Sequence, residues 1–171
     1  MGVAMTASDM PDLSSLARMV IDRAISAGAM VTTAESCTGG MVAAALTDIA
    51  GASAVLDRSV VTYSNAAKSD LLGVSEAILQ AYGAVSQQTA AAMAKGALKA
   101  APDAHIAIAI TGIAGPGGGT ADKPVGLVWF GLAIRDADVM TADHLFLGDR
   151  PAVRHQAATT ALGMLSDGLA R

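Results

Sequence analysis

Ser36 stands in Val31-Thr32-Thr33-Ala34-Glu35-Ser36-Cys37-Thr38-Gly39-Gly40, where an extended, β-branched run gives way to small polar residues and two glycines. A strand, a tight glycine turn and a helix in succession present a hydroxyl at the turn. The helix predicted from Met41 to about Ile49 would aim its unpaired N–H groups, and the positive end of its dipole, at that hydroxyl. One short segment therefore offers both a nucleophile and donors for an oxygen becoming anionic, which is the chemistry of acyl transfer. Cys37 is a second candidate nucleophile, because a helix N-terminus lowers a thiol pKa. Its plainer role is a small buried filler.

A serine needs a group to take its proton. The three histidines, His105, His144 and His155, have no acidic partner at a motif spacing, and the metal, phosphate-loop and Gly-x-Ser-x-Gly patterns are absent. Lys68 is the best remaining base, because it follows an apolar strand bearing a tyrosine in Tyr63-Ser64-Asn65-Ala66-Ala67-Lys68. A strand end and the first turn of a helix bring both side chains to one rim, where burial and the helix's positive end lower a lysine pKa. The alternative is a solvated helix lysine beside a half-buried tyrosine. Arg150 and Arg154 lie four apart at the start of the last predicted helix, where a cation opposes the dipole unless an anion sits between them. Either they pair with Asp149 or another carboxylate, or they bind a substrate phosphate together with amides of the glycine loop from Gly115 to Gly119.

The elements that must position these groups follow from periodicity and caps. Leu13, Leu16, Ala17, Val20, Ile21, Ala24 and Ile25 recur at helical spacing until Gly28. Strands are predicted over Met30 to Ala34, Leu56 to Ser64 and His105 to Thr111, the isoleucines of the last all facing one side. Asn65, Ser75, Ser86 and Asp149 are predicted helix caps. Val125 to Arg135 and Val139 to Leu147 form a hairpin around Asp136-Ala137. Between the third strand and the hairpin, Gly112 to Pro124 is a long loop without structure of its own, the kind that is usually functional or mobile.

The chain has 171 residues, of which 53% are hydrophobic but only 3% aromatic, with alanine and glycine filling much of the difference. That suits helices packed closely on a sheet in one α/β domain, with residues 1–12 as a flexible lead and 13–171 as the domain. A formal charge of -4 excludes the basic stripe that a nucleic-acid binder needs. A single cysteine, no signal peptide and no membrane span point to a cytoplasmic protein, and the apolar excess suits a homodimer or higher homo-oligomer.

Several segments together resemble the CinA carboxy-terminal domain family: Thr33 to Gly40, Tyr63-Ser64-Asn65-x-x-Lys68, Gly83-Ala84-Val85-Ser86, Thr111 to Gly118, Lys123-Pro124-Val125-Gly126, and Gly148-Asp149-Arg150 with Val153-Arg154. The order is uninterrupted from about Leu13 to Leu169. The resemblance implies a three-layer α/β/α sandwich around a mixed sheet. It also implies the activity of the nicotinamide-nucleotide amidases, hydrolysis of the carboxamide of nicotinamide mononucleotide to the acid and ammonia without a cofactor. The family's serine, tyrosine and lysine fall on Ser36, Tyr63 and Lys68. Substrate contacts are then expected from Glu35, Thr38, Gly39, Gly40, Thr111, Gly112, Gly115, Gly117, Gly118, Arg150 and Arg154. A non-catalytic nucleotide-binding or interaction module, and an amidase for a related amide, are the competing readings.

Overall fold

The computed structural model describes residues 12–171; apart from Asp12, the lead expected over residues 1–12 lies outside the described residues. Six helices and five strands follow in the order α1 (Leu13–Ala27), β1 (Val31–Glu35), α2 (Met41–Thr47), β2 (Leu56–Val61), α3 (Asn65–Leu72), α4 (Glu76–Tyr82), α5 (Gln87–Ala100), β3 (Ile106–Gly112), β4 (Leu127–Ile134), β5 (Met140–Leu145) and α6 (Arg150–Leu169). The sheet runs β2-β1-β3-β4-β5. Its first three strands are parallel, and β4 and β5 are antiparallel to their neighbours. The carboxyl ends of β2, β1 and β3 therefore share one edge, the usual place for a ligand in such sheets.

The expected three layers are present. One face of the sheet packs against α1, α2 and α6, through Val31 and the three isoleucines Ile106, Ile108 and Ile110 of β3. The other packs against α3 and α5, through Ala34, Ala107 and Ala109. Bulky side chains fill the first interface, while alanines let α5 come close on the second. A Cβ at Gly131 of β4 would lie 2.3 Å from the Ala90 carbonyl oxygen of α5, so no larger residue fits there.

The expected element ends move by a few residues, for local reasons. β2 stops at Val61 rather than Ser64, because Ser64 leaves the strand to cap α3, its Oγ accepting from Ala67 N. Asn65 is thus the first helical residue and not the cap. Ser75, Ser86 and Asp149 do cap α4, α5 and α6 as expected. The hairpin turns at Asp136, whose φ of 61° is the left-handed conformation that aspartate tolerates better than most residues.

Candidate active site

Ser36 follows β1 directly, Thr62 and Tyr63 follow β2, and Thr111 and Gly112 end β3, so the three parallel strands deliver them to one edge. A cleft of about 260 Å³ opens there, and Ser36, Tyr63 and Lys68 all line it. Thr111, Gly112, Gly115, Gly117, Gly118 and Arg150 line it too. The long loop after β3 is thus a wall of the cleft.

Lys68 is not a solvated helix lysine. It is 1% exposed, on the inner face of α3 one turn before the buried Leu72. Its Nζ donates to the Thr62 carbonyl at 2.7 Å and lies 3.1 Å from Ser36 Oγ. Among the described residues the ion pairs are Arg23–Asp167 and Arg58–Asp57, so no carboxylate neutralises this ammonium. Burial pushes the Lys68 pKa below its ordinary value, against a smaller upward pull from Cys37. The shift favours the neutral amine, and Nζ stands within hydrogen-bond distance of both the Thr62 carbonyl and the serine hydroxyl. Thr62 escaped the sequence reading, because a carbonyl acceptor leaves no trace in residue type.

The helix N-terminus expected to receive an anion already holds one. Glu35, fully buried, accepts from Val42 N at 3.0 Å through Oε1 and from Ala43 N at 3.1 Å through Oε2. Hydrogen bonds to a charged group contribute about 1.5–3 kcal/mol each, so Glu35 ties β1 to α2 and is turned away from the cleft, contrary to its expected substrate contact. Thr38, Gly39 and Gly40 likewise sit in the turn behind the cleft rather than on its lining. The donors left for an oxyanion belong to the turn itself. Gly39 N donates to Ser36 O, and because C=O and N–H of one trans peptide unit point oppositely, the Cys37 N–H faces out of the turn. Among the described residues neither Cys37 N nor Thr38 N donates to another residue.

Cys37 is a poor nucleophile in this setting. Burial, with a contribution from the nearby Glu35 carboxylate, raises its pKa to about 11 despite its own backbone N–H and the Arg154 and Lys68 charges. The thiol is therefore protonated at neutral pH, opposite to the lowered value expected at a helix start. Cys37→Ser is expected to keep more than about half of wild-type turnover, and thiol reagents to inactivate the native protein slowly; rapid inactivation matched to modification of Cys37 would reverse this assignment.

The two arginines part company. Arg150 reaches the rim of the cleft, where Nη1 donates to Gly115 O at 2.8 Å and Nη2 to the Tyr63 hydroxyl at 2.7 Å. Neither partner is a carboxylate, and Arg150 makes no ion pair among the described residues. Arg154 instead turns behind the Ser36 turn, donating from Nε to Cys37 O and from Nη2 to Thr38 O, each at 3.0 Å. Among the described residues the carboxylate pairing weighed for this pair is found for neither. Tyr63 is 61% exposed, unlike the half-buried tyrosine of the alternative reading, and its hydroxyl meets Arg150 rather than Ser36 or Lys68. Thr111 donates from Oγ1 to Ala84 O at 2.7 Å, fixing the loop before α5 as the facing wall. That wall, Ala84 and Val85, was quoted in sequence as a motif but not as part of the site.

Residues 13–169 match the CinA C-terminal domain model. A protein from Enterobacter agglomerans called nicotinamide-nucleotide amidohydrolase PncC is 61% identical over 135 residues, 79% of this chain and 82% of that one. Its namesake from Escherichia coli is 51% identical over 154 residues, 90% and 93% of the two chains. Among solved structures, the competence/damage inducible protein CihA from Agrobacterium tumefaciens superposes with a TM-score of 0.90 at 48% identity, over 98% of this chain and 100% of that one. With the family model spanning nearly every described residue, the chain belongs to the CinA C-terminal domain family.

Proposed function

We propose that this protein hydrolyses the carboxamide of nicotinamide mononucleotide to nicotinic acid mononucleotide and ammonia, a step of pyridine nucleotide salvage. The observation that carries the reading is the buried amine of Lys68, 3.1 Å from Ser36 Oγ in an open cleft, with no carboxylate among the described residues to hold it charged. The names of the relatives supply the substrate class. Neutral Lys68 takes the Ser36 proton as Oγ bonds to the carboxamide carbon. The tetrahedral oxyanion is received by the outward N–H of Cys37, a contribution worth about 3–4 kcal/mol for a well-placed donor. Collapse breaks the C–N bond while Lys68 returns its proton to the nitrogen, which leaves as ammonia. Water, deprotonated by Lys68, then attacks the Ser36 ester, and the proton goes back to Oγ as the acid departs.

The 3.1 Å between Nζ and Oγ supports direct transfer; the Tyr63 hydroxyl, bonded to Arg150 at the rim, serves substrate contact in this reading instead of proton relay. The same reading places the enzyme in the cytoplasm, as a homodimer or higher homo-oligomer. No helix of the described residues is long and apolar enough to cross a membrane. The test is ammonia release from nicotinamide mononucleotide by the purified protein, with other amides as controls. Binding of the nucleotide without ammonia release would leave a non-catalytic binding module.

Arg150 is the cation available to the 5′-phosphate. Displacing its present partners for a charge-assisted bond gains about 1.5–3 kcal/mol. Arg150→Ala is therefore expected to raise KM for the nucleotide about 10- to 100-fold, while nicotinamide riboside, which has no phosphate, stays a poor substrate almost indifferent to the change. Equal losses with nucleotide and nucleoside would show that the phosphate is held elsewhere.

A further inference from the structure

The Arg154 guanidinium, carried on the second turn of α6, is spent on two backbone carbonyls, those of the two residues that follow Ser36. A cation near a helix N-terminus opposes the dipole, and no carboxylate among the described residues compensates this one. Gly39 has a φ of 61°, and a Cβ there would lie 3.3 Å from Arg154 Nη2, so the guanidinium packs directly against the turn.

We propose that Arg154 is a positioning residue for the oxyanion donor, the Cys37 N–H, a role that rests on the amidase reading above. A peptide unit is rigid, so pinning a carbonyl oxygen pins the N–H on its other side. Nε on Cys37 O fixes the peptide unit whose opposite edge is Thr38 N–H. Nη2 on Thr38 O fixes the next unit, whose Gly39 N–H closes the turn onto Ser36 O and so leaves Cys37 N–H facing outward. Glu35 holds the far side of the same turn by capping α2. The turn is thereby clamped between two charges of opposite sign, and neither touches the substrate. The planar fork of arginine matches two adjacent carbonyls, whereas a lysine reaches one.

The prediction separates this role from phosphate binding by which constant moves. In Arg154→Ala, kcat for nicotinamide mononucleotide is expected to fall about 10- to 100-fold, the scale of a misplaced rather than a missing donor, with KM changed less than about threefold. Millimolar guanidinium chloride is expected to restore part of that kcat, and to restore none in Ser36→Ala. Arg154→Lys, which keeps the charge and one carbonyl contact, loses less in kcat with KM again steady, and it carries the test should the alanine variant not fold. A raised KM with unchanged kcat would overturn the proposal in favour of an anion site, and wild-type kcat in either variant would overturn it outright. A reading independent of the nucleotide is the rate at which an alkyl fluorophosphonate modifies Ser36. There Oγ bonds to phosphorus, fluoride leaves, the serine proton passes to Lys68, and the phosphoryl oxygen takes the same donor. That rate is expected to fall in both Arg154 variants. Absence of ammonia release from the wild type, with this slowing intact, sinks the substrate assignment alone; absence of the slowing sinks the role of Arg154.

Discussion

Ser36→Ala is expected to abolish ammonia release from nicotinamide mononucleotide, by about 10⁴-fold or more, while the folded protein still binds the nucleotide. The two halves of that result have separate causes. Losing Oγ removes the atom proposed to carry the acyl group, and Cys37 next to it is a poor substitute, because it is buried and its thiol pKa is raised to about 11. Folding loses little, because Oγ is small and its hydrogen-bond partner is Lys68 Nζ, which keeps its contact with the Thr62 carbonyl. One lost hydrogen bond of this kind costs about 0.5–1.5 kcal/mol, so Tm should shift by no more than about 5 °C. Calorimetric titration with the nucleotide and a thermal melt check the second half, and an ammonia assay the first. Appreciable turnover in the alanine variant would show that water or another side chain attacks the amide directly.

The setting of Ser36 was legible in sequence because its signals are local. A β-branched run, a polar residue and two glycines specify a strand and a turn, and the chain does leave β1 at Glu35 to turn through Gly39 and Gly40. Caps are local too, which is why Ser75, Ser86 and Asp149 sit where expected. The role of Glu35 was harder to see, since all five residues of β1 are buried and no polar-apolar alternation marks its faces. Even so, the period of two carries the information: if Ser36 points into the cleft, Glu35 must point to the opposite face, where α2 begins. Its carboxylate then fills the helix N-terminus that the sequence offered to the substrate.

The partners of the arginines were not legible at all. Arg150 and Arg154 share a helix face by spacing, yet one reaches Tyr63 and Gly115 at the rim while the other reaches the carbonyls of Cys37 and Thr38. Which of them meets a ligand depends on how α6 crosses the end of the sheet, a tertiary fact. Lys68 lies between these cases. Its helix, Asn65–Leu72, has no strong apolar stripe, and Leu71 is exposed while Leu72 is buried. A lysine four residues before a leucine shares its face, but only the packed structure shows that Leu72 is the inward one.

Lys68→Met is expected to lower kcat about 10²- to 10⁴-fold, the usual contribution of a positioned general base. Methionine approximates the length of the lysine stem and has no proton to move, so the loss isolates the amine. In the wild type only the neutral amine can accept the serine proton, and burial lowers the Lys68 pKa from 10.5. Activity should therefore rise with pH through that lowered pKa and level off before 10.5, and the residual activity of the variant should lack this limb. Stability supplies an independent check. Between the folded-state pKa of Lys68 and 10.5 the unfolded chain binds more protons than the folded one, so the wild type loses stability as pH falls across that interval, and below it the loss is constant. The methionine variant has no such group. Its stability relative to the wild type should thus improve as pH is lowered from above 10.5, on top of a pH-independent cost for leaving the Thr62 carbonyl without the amine. Denaturant melts of both proteins across that range read the difference directly. Full activity in Lys68→Met, or a wild-type rate that climbs only above pH 10.5, would mean that another group takes the proton and that Lys68 is buried for packing alone.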